Sequence, residues 1–122
     1  MRPSSAKAKG RRLQQEVRDL ILERFSELEP DDVVSTSMGA SGTDIKLSPA
    51  ARKKFPYSVE CKNQESISIW SCLEQAEANT KPGTEPLLVF KRNKSKTYVT
   101  IELTHFMDLI QPKVLDESVD EQ

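Results

Sequence analysis

Residues 86–90 read Pro86-Leu87-Leu88-Val89-Phe90, an unbroken apolar run of strand length. A strand with one wet face alternates apolar and polar side chains. One that is apolar throughout has to be covered on both faces, so this run predicts a buried central strand. Something must lie above and below it, and the rest of the chain offers helices. Residues 5–28 predict one long amphipathic helix, with Leu13, Val17, Leu20, Ile21, Phe25 and Leu28 recurring at spacings of three, four and seven. Pro30 is expected to end it. Residues 67–79 predict a second helix with Ile69, Trp70, Leu73 and Ala76 facing inwards, broken by Lys81-Pro82-Gly83.

Shorter strands fill the intervals. Residues 33–36 read as a first strand and residues 43–47 as a second, with Ile45 and Leu47 opposite Asp44. Between them, residues 37–42 supply two glycines and two hydroxyls. Such a loop could bring backbone amides and Ser41 up to a phosphate, or simply turn the chain. Ser48-Pro49 has the form of an N-cap and first position of one brief helical turn. Residues 57–62 alternate Tyr57, Val59 and Cys61 with Ser58, Glu60 and Lys62. Residues 97–103 alternate again after the turn at 93–96, and Thr104 is placed to cap a final helix through Ile110.

Side chains two apart on a strand share a face, so Glu60 and Lys62 point the same way. The connector 48–56 is short enough to make the second strand and residues 57–62 a hairpin, which would let Asp44 meet Glu60. Two carboxylates that close repel unless a cation lies between them, and hard oxygen ligands suit Mg2+ or Mn2+ better than zinc. A metal there could activate water and stabilise charge building on a phosphodiester, with Lys62 placing the nucleophile or neutralising the phosphorane. The alternative is a solvated Asp and an ordinary exposed cross-strand pair, worth a few tenths of a kcal/mol.

A chain of 122 residues fits one domain with a single core. Its net charge of -1 looks wrong for a nucleic-acid partner, but residues 1–62 hold 12 basic and 9 acidic side chains and the remainder 6 and 10. The basic residues gather in a stretch containing Lys9, Arg11 and Arg12, in Arg52-Lys53-Lys54, and in 91–96 with Lys91 and Arg92. Each could hold a phosphate backbone or be a solvated turn. Cys61, Cys72 and the single His105 lack the spacing of a zinc site or a disulfide framework, and both thiols are expected reduced. No apolar run reaches membrane-spanning length and no signal peptide is evident, so a cytoplasmic protein is expected, in a bacterium or a phage-infected host.

The order of helix, strand, Asp-bearing strand, Glu-x-Lys strand, helix and strand resembles the PD-(D/E)XK nuclease core over about residues 9–103. It is most similar to archaeal-type Holliday-junction resolvases and to small phage-encoded endonucleases of that superfamily. The residues that carry the resemblance are Lys9-Gly10, Ser41-Gly42-Thr43-Asp44, Glu60-Cys61-Lys62, Gln75 and the apolar strand 86–90. Thr43 stands where the motif's name has proline. The resemblance implies an α/β, restriction-endonuclease-like core (αβββαβ) with a mixed central sheet flanked by helices. It divides the chain into a flexible basic terminus (1–8), a nuclease domain (9–110) and an acidic tail (111–122).

The activity implied is Mg2+- or Mn2+-dependent hydrolysis of DNA, with branched structures such as Holliday junctions as the expected substrate. Cutting duplex DNA as a restriction-like or nicking enzyme, or binding DNA without catalysis, are the alternatives. Asp44 and Glu60 would hold the metal, Lys62 would serve the reaction, and Gln75 and Ser41 would support the site or a phosphate. The first-helix acid of the resolvases falls on Gln14 in register, with Glu16 two positions later; charge favours Glu16. Cutting two strands with one site per chain implies a symmetric homodimer. Its contacts would come from Phe106, Leu109 and Ile110 and from the second helix near Trp70.

Overall fold

The computed structural model describes residues 3–36 and 42–114. In chain order the elements are α1 (Pro3–Arg24), a 3-10 turn (Pro30–Asp32), β1 (Val33–Ser35), β2 (Ile45–Leu47), α2 (Pro49–Lys54), β3 (Tyr57–Asn63), α3 (Ile69–Ala78), β4 (Glu85–Lys91), β5 (Tyr98–Thr100) and α4 (Leu103–Ile110). β4 is the central strand of a three-stranded mixed sheet, parallel to β3 and antiparallel to β5. The α/β architecture is that of a restriction-endonuclease-like core.

Register explains the two layers. Val59 pairs with Leu87 and Cys61 with Val89, while Glu60 pairs with Leu88 and Lys62 with Phe90. The Val59/Cys61/Val89 face is covered by α1, whose Leu13 and Ile21 join those residues, Val33 and Ile45 in one buried cluster. On the opposite face Leu88 is buried, and α3, which packs against β3 and β4, contributes the buried Cys72 and Ala76. Leu13, Val33 and Val59 are at most 1% exposed. Each such side chain contributes about 1.5–3 kcal/mol relative to an exposed position.

Several expectations are corrected. α1 begins at Pro3, two residues before the expected start, and ends at Arg24 rather than at 28. The chain turns at Phe25, whose amide still bonds Ile21 O, and Leu28 folds back beneath the core, only 8% exposed. The apolar periodicity therefore runs past the helix because the turn buries the same face. Leu20 is 52% exposed despite its place in that pattern. Pro30 opens the 3-10 turn instead of closing the helix.

β2 does not form a hairpin with β3. It pairs antiparallel with β1, Ser35 opposite Ile45, and the connector to β3 is occupied by α2. The cap of α2 is as expected, Ser48 Oγ accepting from the Ala51 amide at 3.1 Å with Pro49 at the first position. α3 spans ten residues, and Trp70 lies on its outer side, 77% exposed. At 100° per residue Trp70 stands about 200° from Cys72, so burying Cys72 and Ala76 turns the indole to solvent. Thr104 does not cap α4; Glu102 does, accepting from the amides of Thr104 and His105.

Candidate active site

The place where β1 and β2 meet β3 is made by Asp44. Its carbonyl accepts from the Thr36 amide at 2.9 Å, and its own amide donates to Val59 O at 2.9 Å. Asp44 stands just before β2, at the point where the chain peels away from β1 towards β3. The Asp44 side chain completes the junction, Oδ2 accepting from the Cys61 amide at 2.7 Å. Three bonds from one residue thus bring its carboxyl beside Glu60, as the sequence predicted, by a route other than a hairpin.

Glu60 lies on the α3 face of β3 and is 2% exposed. Asn79, the C-cap of α3, donates from Nδ2 to Glu60 Oε1 at 2.7 Å. Two residues further on, the Lys81 amide donates to Ser58 Oγ at 2.9 Å, and Ser58 Oγ lies 2.6 Å from Thr84 Oγ1. The chain leaving α3 is pinned to the face of β3 that carries Ser58, Glu60 and Lys62.

The carboxyls of Asp44 and Glu60 are close enough to act on each other electrostatically, with Lys62 as the nearby positive charge. Burial pushes Glu60 up to about 7; the Asn79 bond opposes this, the Asp44 charge adds to it and Lys62 opposes it. Burial also raises Asp44, against the Cys61 amide and the Lys62 charge. Cys61 points to the other face, where burial first and the two carboxylates second push its thiol up.

Two close carboxyls held above their ordinary range despite the Lys62 charge would be stabilised in their charged forms by a divalent cation. Their donors are hard oxygens, suited to Mg2+ or Mn2+. Among the described residues no group of three or more His, Cys, Asp or Glu side chains could hold an ion, so the rest of its shell would be water and substrate oxygen. The residues present fit such a cation.

The other candidates are placed as follows. Gln14 is 2% exposed, its Oε1 accepting from Ser35 Oγ at 2.8 Å in the layer between α1 and β1. Glu16 is exposed. The charged member of the pair, which the sequence favoured, is therefore the one in solvent. Gln75 is exposed on α3; Asn79, one turn later on the same side of the helix, is the residue that reaches Glu60. Asn79 was not anticipated, and the only signal for it was its i+4 relation to Gln75. Ser41 lies outside the described residues.

Of the basic residues, Arg11, Arg12, Lys53, Lys54 and Arg92 are exposed, and Lys91 is half-buried. Lys9 is only 8% exposed and pairs with Glu65 at 3.9 Å. Glu65 also accepts from the Asn93 amide at 2.6 Å, so it joins the start of α1 to the 91–96 turn. Lys54 pairs with Glu27 at 3.7 Å. Arg52 donates to Leu47 O at 2.8 Å and lines a cavity of about 460 Å³ together with Thr43, Ile45 and Ser58.

Among the described residues no helix is long and apolar enough to cross a membrane. No curated protein and no solved structure matches the chain. The family described as "Phage putative PDDEXK endonuclease" matches residues 5–120, nearly the whole length. With Asp44, Glu60 and Lys62 at the junction of the strands, the chain belongs to this phage family of PD-(D/E)XK endonucleases.

Proposed function

We propose that the protein is a Mg2+-dependent endodeoxyribonuclease that cuts branched DNA in the manner of a junction resolvase, in the cytoplasm of the infected host. The observation that carries this reading is the buried Glu60 carboxyl, held by Asn79, beside the Asp44 carboxyl, held by the Cys61 amide, with Lys62 on the Glu60 face. Asp44 and Glu60 would hold the cation. When bound, it supplies Lewis acidity, lowering the pKa of a water and offsetting charge on the phosphodiester.

The chain's own residues do the rest. Lys62 sets a positive charge beside the phosphate, where it orients the attacking water and stabilises charge that grows in the transition state. Asn79 fixes the Glu60 carboxylate, and the Cys61 amide fixes that of Asp44, so neither ligand has to reorganise. Gln14, bonded to Ser35, supports β1 beneath the site, which leaves Glu16 without a catalytic part. Its exposed basic side chains suit phosphates rather than base edges, so recognition of DNA shape fits the fold better than recognition of sequence.

Two strands require two sites, and we place the second in a twofold partner. α4 contributes no buried residue, while Leu103, Phe106, Met107, Leu109 and Ile110 are 44–71% exposed. This exposed apolar surface favours α4 as the dimer contact. The reading is tested by offering the purified protein four-way junctions, flaps, single strands and linear duplex with Mg2+ and mapping the cuts. Paired symmetric cuts in junctions are expected. Uniform nicking of linear duplex would contradict the structure-specific part.

A further inference from the structure

A cavity of about 460 Å³ opens between the start of β2, α2 and the chain that follows α3, lined by the chain neighbours of Asp44 and by Ser58, two residues along β3 from Glu60. Thr43, which precedes Asp44, and Ser58, which shares the β3 face with Glu60, both line it. Its cations are Lys46, Arg52 and Lys81, its further hydroxyls include Thr36 and Thr84, and among the described residues no carboxylate lines it. In a chain with 19 acidic against 18 basic side chains, that exclusion of negative charge marks a site for an anion.

The size narrows the anion further. A duplex is too wide to enter a hollow of this volume, whereas one nucleotide is a ligand of the size that pockets of about 300–1,000 Å³ enclose. Three cations match a phosphate, and the hydroxyls of Thr36, Thr43 and Thr84, whose protons go to backbone carbonyls, leave lone pairs that can accept from the amino and imino groups of a base. Lys46 and Lys81 are exposed, with their ammonium groups available at the rim. Arg52 is anchored on Leu47 O and offers a guanidinium already held in place.

We propose that this cavity takes one unpaired nucleotide of the DNA strand being cut, next to the scissile phosphate, so that DNA with a locally unpaired strand is the preferred substrate. The inference rests on the nuclease reading and names its substrate class. Enzymes that act on a base or its neighbour commonly accept it unstacked, and a strand that is already unpaired does not have to be opened.

The test compares wild type with Lys46→Ala/Lys81→Ala, both exposed positions outside the carboxyl site. Binding is measured by fluorescence polarisation in Ca2+ on a splayed-arm DNA, on the same DNA with an abasic residue at the branch, and on a fully paired duplex. The double variant is expected to lose about tenfold or more in affinity for the splayed arm, with the salt dependence reduced by about two counterions. Its affinity for duplex should change less than twofold, and the abasic DNA should bind wild type several-fold more weakly than the intact one. Equal losses on splayed and duplex DNA, no loss on either, or no effect of removing the base would overturn the proposal. Cleavage by wild type in Mg2+ is scored separately: if it cuts no DNA at all, the nuclease reading itself fails, whatever the binding pattern.

Discussion

Asn79 Nδ2 donates to Glu60 Oε1 at 2.7 Å, tying the last residue of the α3 turn to a carboxylate buried in the middle of β3. The bond opposes the effect of burial on Glu60 and holds one of its two oxygens in a fixed direction. Asn79 is thus a positioning residue for the site. Asn79→Ala should lower the cleavage rate about tenfold and raise the Mg2+ concentration needed for half-maximal rate, because Glu60 loses a charge-assisted hydrogen bond. A Mg2+ titration of cleavage rate separates this from a purely structural role. Unchanged metal dependence with slower turnover would contradict it.

The pH dependence of stability follows from the same carboxyl. Glu60 titrates at about 7 in the fold against 4.5 in the unfolded chain, so between those values the folded protein keeps a proton that the unfolded one has lost. Stability is then fully present below pH 4.5 and falls as pH rises through about 7, by on the order of a few kcal/mol. Asp44, also raised, acts in the same direction. Asp32 and Glu102 are lowered, so their contributions vanish only in stronger acid. Metal-free protein should melt at a lower temperature at pH 8 than at pH 5, Glu60→Gln should flatten the difference, and Mg2+ should stabilise wild type more at pH 8. Calorimetry in chelator and in Mg2+ checks each limb.

How much of this was readable beforehand differs by element. The central strand was legible because nothing but burial on both faces explains Pro86–Phe90, and Glu60 and Lys62 were legible because strand alternation is strict. Asp44 was found, but its means of reaching β3 was not. Three bonds from one residue replace a ladder that no local pattern encodes. Trp70 misled because a large apolar residue was assigned to the core, when the faces of α3 are set by Cys72 and Ala76. Asn79 was missed because a cap residue's reach depends on where the helix end is docked.

That difference gives a test of the packing. Trp70→Ser should change stability by about 0.5 kcal/mol or less, as for other exposed positions, while Leu13→Ala should cost about 2–5 kcal/mol. Denaturant unfolding of the two variants would show it. The native indole emission should be that of a water-exposed tryptophan.

Cys61 and Cys72 are free thiols, each 8% exposed. The Cys61 thiol is pushed up by burial and by the neighbouring carboxylates. Neither should react with a maleimide at pH 8 while the protein is folded, and both should react in denaturant. Rapid labelling of native Cys61 would mean that the α1 face of β3 opens.

The central claim is that Asp44 and Glu60 together hold the cation used to cut DNA. Its most direct measurement is the Mg2+-dependent cleavage rate of wild type, Asp44→Ala, Glu60→Ala and Lys62→Ala on one DNA substrate, with and without chelator. Wild type should cut only with the metal, both carboxylate variants should be inactive though folded, and Lys62→Ala should lose about a hundredfold or more in rate with binding nearly intact. Cleavage that persists in chelator, or at full rate in either carboxylate variant, would contradict the account.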